Sequence, residues 1–120
     1  MAIHRPSDAE LARHRTIHLT TIGRRSGQAR RIEIWWFHIA GRFIITGTPG
    51  ARDWYANVNS DPNVIIHVAG HDLPAIAAPV REVGTRSKAF DSELTGWYST
   101  QSQRQRLIDE SPMVEIVFGR

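Results

Sequence analysis

The pattern that most restricts the fold is a succession of short β-prone runs, each stopped by turn-forming residues. Ile17, Leu19 and Thr21 alternate with His18 and Thr20, the period-two signature of a half-buried strand. The strongest run is Ile32–His38 (Ile-Glu-Ile-Trp-Trp-Phe-His), crowded with β-branched and aromatic residues that fit a pleated surface. Ala40-Gly41-Arg42 turns it into Phe43-Ile44-Ile45-Thr46, which predicts a hairpin between the two. Val64–Val68 follows, and Ala69-Gly70-His71-Asp72 reverses it. Residues 73–83 form a weaker run interrupted by Pro74 and Pro79, which predicts an edge strand. Met113–Phe118 closes the series. No run approaches the ~18 apolar residues of a membrane-crossing helix.

Helical signals lie between these runs. Residues 7–14 open with Ser7 and carry Glu10 three positions later, the spacing of a capping box. Asp53 is placed to cap a short helix through Trp54, Tyr55, Asn57 and Val58, which Asp61-Pro62 ends. Residues 86–98 and 101–109 read as helices, with Phe90, Leu94, Trp97 and Tyr98 at helical spacing. Six short antiparallel strands with helices at the periphery predict a mainly β barrel or sandwich rather than a doubly wound α/β fold. With 120 residues and no repeat or linker, the chain reads as a single domain, 1–120. It contains no cysteine, which excludes disulfides, thiolate metal sites and cysteine catalysis. Its start, Met1-Ala2-Ile3-His4-Arg5-Pro6, lacks the apolar core of a secretory leader, so the expected location is cytoplasmic.

Charge is distributed unevenly. The formal net charge is +3, and the basic residues are fourteen Arg and one Lys, Lys88. No Asp or Glu occurs between Glu10 and Glu33, whereas Arg13, Arg15, Arg24, Arg25, Arg30 and Arg31 do. Such a stretch carries a positive potential and attracts anions. Within it, Gly23-Arg24-Arg25-Ser26-Gly27-Gln28 is a turn in which two glycines free the backbone to aim N–H groups at one point. Guanidinium groups around that turn offer charge-assisted hydrogen bonds. The expected ligand is a phosphate or carboxylate. Because residues 30 and 31 point to opposite faces of a strand, at most one of them joins Arg24 and Arg25 directly through the same face.

These residues also carry a resemblance. Leu19-Thr20-Thr21-Ile22-Gly23-Arg24-Arg25-Ser26-Gly27-Gln28-Ala29-Arg30 is similar to the L-T-T-x-G-R-[RK]-S-G-x-x-R signature of the deazaflavin-dependent nitroreductase family. Pro49-Gly50-Ala51-Arg52-Asp53-Trp54-Tyr55-Ala56-Asn57, followed by Asp61-Pro62-Asn63-Val64, resembles a second block of that family, in the right order and spacing. The resemblance implies a split β-barrel that binds coenzyme F420, a deazaflavin with a phosphodiester and a glutamate tail. It implies that Arg24, Arg25, Ser26, Gly27, Gln28 and Arg30 hold the phosphate and carboxylates. By the same matching, Glu33, Ile34 and Trp35 together with Thr46, Gly47 and Thr48 flank the ring, and Arg52 lies near the phosphate. Glu33 departs from the family, where Pro is common beside the ring. The tyrosine-rich substrate region of some relatives is reduced to Trp97 and Tyr98. The implied activity is hydride transfer from the reduced deazaflavin to a small organic acceptor, a quinone, a nitroaromatic or an enone, with no catalytic side chain identified.

Other readings stay beside this one. A barrel of this kind could carry F420, FMN, a tetrapyrrole or a fatty acid without turning it over. The sequence pI of 10.2 raises nucleic-acid binding, but the aromatics do not interleave with the basic residues as a stacking platform requires. The histidine pairs His14/His18 and His67/His71 lack a continuous helix and a third ligand, so no metal site is expected. No G-x-S-x-G elbow occurs, and Asp91 and Glu93 diverge on a helix rather than pairing. Of Trp35 and Trp36, adjacent on a strand, packing in the core is expected for both, and Trp54 is expected to pack its helix against the barrel. Split barrels commonly pair, which makes a homodimer the expected assembly if there is one.

Overall fold

The computed structural model describes Arg5 to Gly119; Met1 to His4, on which the leader-free reading rests, and Arg120 lie outside those residues. Seven antiparallel strands form one sheet in the order β2-β1-β5-β6-β7-β4-β3. They are β1 (Thr16–Ile22), β2 (Ala29–Trp35), β3 (Phe37–Ile39), β4 (Arg42–Thr46), β5 (Asn63–Val68), β6 (His71–Pro79) and β7 (Met113–Phe118). The mainly β, split-barrel expectation holds, with one more strand than the six read from the sequence.

The extra strand arises because Ile32–His38 is not continuous. Pairing with β1 ends at Trp35 opposite Thr16, and from Phe37 the chain pairs with β4 instead. Trp36 alone separates the two, yet β2 and β3 sit at opposite ends of the sheet. One residue can join both ends only if the sheet curls on itself. Trp36 fixes that switch: its backbone N–H donates to the Arg15 carbonyl at 2.9 Å and its indole Nε1 to the His14 carbonyl at 2.6 Å. Its ring stacks on Phe43 at a centroid distance of 4.3 Å. Trp36 is therefore core, as expected, whereas Trp35 is only half-buried and packs on the helices. The hairpin partner of β4 is β3, not the longer run.

Alternation along the strands fills the curl. Ile17, Leu19, Val64, Ile66, Leu73, Ala75, Val114 and Ile116 point inward and meet Trp36, Phe43 and Trp54. Trp54 belongs to α2 (Asp53–Ser60), which closes one end of the barrel as expected. A second apolar cluster joins Phe37, Ile44 and Met113 to α3 (Val83–Asp91), α4 (Gly96–Ser99) and α5 (Arg104–Glu110). The expected helix over 86–98 is broken at Ser92, which adopts an extended conformation and whose hydroxyl accepts from the Leu94 N–H, starting a 3-10 turn at Glu93–Thr95. The break turns Leu94 and Trp97 outward, 43 % and 52 % exposed. Arg86 sutures this layer, donating to the carbonyls of Val80, Ile108 and Ser111. Ser7 caps α1 (Asp8–Leu11), which is shorter than the 7–14 read from sequence. No helix among the described residues is long and apolar enough to cross a membrane.

The prolines of β6 led to a wrong placement. β6 is not an edge; it lies between β5 and β7. The backbone directions explain why proline is tolerated there. Ala77 donates toward β5 (to Pro62) and Val80 toward β7 (to Met113), so odd positions face β5 and even positions face β7. Pro79 therefore faces β5, whose pairing ends at Asn63 opposite Ile76, and Pro74 faces β7, whose pairing begins at Ala75 opposite Phe118. Each missing N–H points past the end of the neighbouring strand, so no ladder bond is lost.

Two hairpins reverse through Ala-Gly: Ala40 and Ala69 both have φ of 51°, followed by Gly41 at 79° and Gly70 at 77°. Positive φ at both central positions matches the right-handed strand twist, but it is unfavourable for alanine. Ala69→Asn, which keeps the turn and suits that conformation, should raise unfolding free energy by about 0.5–1 kcal/mol in urea denaturation; an unchanged or lowered midpoint would contradict the strain assigned to Ala69.

Candidate functional site

A cleft of about 590 Å³ opens between the turn that joins β1 to β2 and the start of α2. Arg24, Arg25, Ser26 and Arg30 line it, as the sequence suggested; Gly27 and Gln28 lie in the same turn but do not line it. Arg31, which the sequence set on the opposite face from Arg30, also borders it, and the sequence reading missed Asp53, Trp54 and Asn57 in the wall. Four arginines and one carboxylate, Asp53, thus border one concavity.

The turn is built from its own backbone. Gly23 N–H donates to the Gln28 carbonyl and Gly27 N–H to the Gly23 carbonyl, both at 2.8 Å. Gln28 N–H donates to Ser26 Oγ at 3.2 Å, and Arg24 N–H donates to Asn57 Oδ1 at 3.1 Å. Four of the six amides in Gly23–Gln28 are therefore committed. Within the turn, no acceptor among the described residues meets the amides of Arg25 and Ser26, so the expected convergence of backbone N–H groups is mostly spent on holding the loop. The two glycines also serve different ends. Gly27 has φ of 70°, whereas Gly23 is needed for space, since a Cβ there would meet Ser26 Oγ at 2.6 Å.

Arg24 and Arg25 differ in kind. Arg24 donates through Nη1 to Asn57 Oδ1 at 2.9 Å and through Nη2 to Asp53 Oδ1 at 3.3 Å, so it ties the turn to α2. Asp53 was expected to cap α2; Arg52 occupies the cap position without a side-chain bond, and Asp53 faces Arg24 instead. Asn57 is 4 % exposed, and its Nδ2 donates to Thr21 Oγ1 at 3.1 Å, so one buried amide joins β1, the turn and α2. Arg25 makes no hydrogen bond or ion pair among the described residues and is exposed. Arg30 reaches back to Ser26 Oγ at 3.4 Å, on the cleft side, while Arg31 donates through Nε to His18 Nδ1 at 3.0 Å. The opposite-face argument for this pair holds for their hydrogen bonds, although both side chains border the cleft.

The remaining sequence candidates sit elsewhere. Glu33 is exposed on β2 beside His18, with Oε1 at 3.8 Å from His18 Nε2. Ile34 packs partly on the barrel core, and Trp35 packs on Trp97 and Tyr98 at centroid distances of 5.7 and 6.3 Å. β2 approaches β4 across the open side of the barrel without pairing to it. At the end of β4, Thr46 is buried and its hydroxyl donates to the Pro112 carbonyl at 2.7 Å, so only backbone there is free to meet a ligand. Gly47 lies beside Pro112. Arg52 folds over its own loop, donating through Nη2 to the Thr48 carbonyl and Oγ1 at 3.1 and 3.0 Å, and does not line the cleft. Gly50, with φ of 136° and Arg52 Nη1 2.8 Å from where a Cβ would stand, makes that fold-back possible. Arg15 lies over Trp35 and Phe37, and burial raises the Tyr98 hydroxyl above the ordinary tyrosine range, so it stays protonated at neutral pH.

The F420H(2)-dependent quinone reductase family model matches residues 4–116. No curated protein matches the sequence. Among solved structures, a protein of the pyridoxinephosphate oxidase family from Clostridium acetobutylicum is similar at a TM-score of 0.67, with 9 % identity over 92 % of this chain and 80 % of that one. An F420-H2 dependent reductase is similar at 0.60, with 21 % identity over 84 % of this chain and 94 % of that one. A structure described as a domain-swapped dimer is similar at 0.63, with 19 % identity over 85 % and 79 %. At these identities the structural likeness is one of fold.

The site rests on Asn57. Asn57→Ala leaves the Arg24 N–H and the Thr21 hydroxyl without their partner in a buried place, and should lower unfolding free energy by about 2–4 kcal/mol in urea denaturation. Asn57→Asp, which keeps the acceptor for Arg24, should lose less. Equal stability of wild type and Asn57→Ala would remove the bridging role.

Proposed function

The chain belongs to the F420H(2)-dependent quinone reductase family, and from that premise we propose that the arginine-lined cleft holds the phosphodiester and glutamate tail of coenzyme F420 while the open side of the barrel receives its ring. Membership makes the protein an oxidoreductase with F420 as its cofactor. The observation that carries the placement is the cleft itself, in which, among the described residues, Arg25 has no protein partner, Arg30 has only a long contact to Ser26, and the Arg25 and Ser26 amides have no acceptor. A cationic concavity with uncommitted donors fits a ligand that brings several negative charges.

The residues have separate tasks in this reading. Arg25 and Arg30 bind the anion with charge-assisted hydrogen bonds. Arg24, already held by Asp53 and Asn57, supplies charge from a fixed position and keeps the turn in register with α2. Ser26 lies between the turn and Arg30 and orients that guanidinium. The backbone of Glu33–Trp35 and of Thr46–Thr48 borders the split on either side, where it can hydrogen-bond the ring edge without side-chain chemistry. When bound, the reduced deazaflavin supplies a hydride, and the protein's share is position and exclusion of water. No proton-transferring side chain is assigned. For the acceptor we favour a quinone, in keeping with the family description; the half-exposed Trp97 beside Trp35 presents an aromatic surface on which a planar acceptor can lie.

The same reading takes the whole chain as one domain. It also includes pairing with a second copy, supported by the similar structure described as a domain-swapped dimer and by β2, an edge strand exposed over most of its length.

Two variants separate binding from scaffolding. Arg25→Ala should weaken F420 binding about ten- to a hundredfold in a fluorescence titration, with little change in melting temperature. Arg24→Ala should weaken binding similarly and also destabilise the fold. Wild-type affinity in both variants would move the phosphate away from this cleft. Reduction of a quinone by the wild type in the presence of F420H2, measured against nitroaromatic and enone acceptors, tests the acceptor class.

A further inference from the structure

Arg31 belongs to two places at once. It borders the cleft, yet its Nε donates to His18 Nδ1 at 3.0 Å on the outer face of the sheet. His18 sits in a row of titratable residues that crosses four strands: Glu33 on β2 opposite His18 on β1, His18 opposite His67 on β5, and His67 opposite Asp72 on β6. The far half of the row is closed. His67 Nδ1 lies 2.6 Å from Asp72 Oδ1 and its Nε2 lies 2.7 Å from Thr20 Oγ1, so both ring nitrogens are engaged. That hydrogen bond holds the Asp72 carboxyl below its ordinary range, so Asp72 is ionised beside His67 at neutral pH. The near half is not closed. His18 faces Arg31 and Glu33 from β2 and His67 from β5, with Asp72 behind, and its side chain is 43 % exposed.

The Arg31 contact exists only while His18 Nδ1 has a lone pair. A proton placed there turns the acceptor into a donor, sets donor against donor and brings two positive charges together. Glu33, on the other nitrogen's side at 3.8 Å, then attracts the imidazolium while repulsion drives Arg31 off. We propose that His18 is a positioning residue for the phosphate cleft: its neutral ring holds Arg31 on the outer face, and its protonated ring releases Arg31 to a bound anion. This rests on reading the cleft as an anion site. Histidine is the side chain whose charge changes most readily near neutral pH, which makes proton uptake the natural input to this contact. Linkage makes it reciprocal: an anion that captures Arg31 frees Nδ1 and eases protonation of His18.

Inorganic sulfate, which keeps its charge over the range, is the probe, titrated calorimetrically into wild type, His18→Asn and His18→Ala at about pH 5.5 and about pH 8. The wild type should bind sulfate about three- to tenfold more tightly at the lower pH. His18→Asn, whose amide oxygen still accepts from Arg31, should bind weakly at both values, and His18→Ala should bind tightly at both. The half-exposed position favours folding of both variants; in the wild type itself, added sulfate should shift the His18 titration seen by NMR to higher pH. The same pH dependence in all three proteins, or a His18 titration indifferent to sulfate, overturns the coupling and leaves the cleft assignment standing. No sulfate binding in any protein at either pH overturns both.

Discussion

One buried amide group, that of Asn57, holds the functional half of this molecule together. It accepts from the backbone and the guanidinium of Arg24 and donates to Thr21, so a strand, a turn and a helix meet on a single side chain. Buried polar groups are tolerated only when satisfied, and among the described residues the Arg24 N–H and the Thr21 hydroxyl bond only to Asn57. Through this contact the cleft acquires a rigid wall, with the charge of Arg24 fixed and that of Arg25 left free. The site divides between cations that build it and cations that wait for a ligand.

The barrel supplies the complementary feature, an opening. Trp36 sends the chain from one end of the sheet to the other in a single residue, so β2 and β4 come together without closing the hydrogen-bond ladder. An unpaired strand edge invites aggregation unless it is charged or covered. β2 carries Arg30, Arg31 and Glu33 along that edge. Arg30 and Arg31, two of the charges that blunt the edge, also line one side of the cleft, which is why structure and binding draw on the same short segment.

Much of this was legible in the sequence, and the exceptions share a cause. Strands declared themselves by alternation, because inward positions such as Ile17, Leu19, Val64 and Ile66 have to be apolar. The turn declared itself by glycine and arginine. Hidden were the features decided by what lies across the fold. Pro74 and Pro79 looked like marks of an edge because their missing N–H groups can be judged only against where β7 and β5 stop. The break at Trp36 depends on carbonyls of His14 and Arg15, twenty or so residues away. Arg24 and Arg25 are neighbours with equal sequence credentials, and only the position of α2 separates the one that is bound from the one that is free. Asn57 stood in the second block that resembles the family, and its spacing, three residues after Trp54 and next to Val58 on the inward face of α2, was the signal that could have marked it. Arg52 was carried over by likeness of position, whereas in this structure its guanidinium is folded onto Thr48.

The central claim is that Arg25, Arg30 and the turn at Gly23–Gln28 surround the cofactor's phosphate. A crystal structure of the protein in complex with F420 tests it most directly. The account predicts the phosphorus within hydrogen-bonding reach of the Arg25 and Arg30 side chains and of the free amides of Arg25 and Ser26, with the ring lodged in the gap between β2 and β4. A phosphate bound elsewhere, with those two guanidinium groups still in solvent, would contradict it.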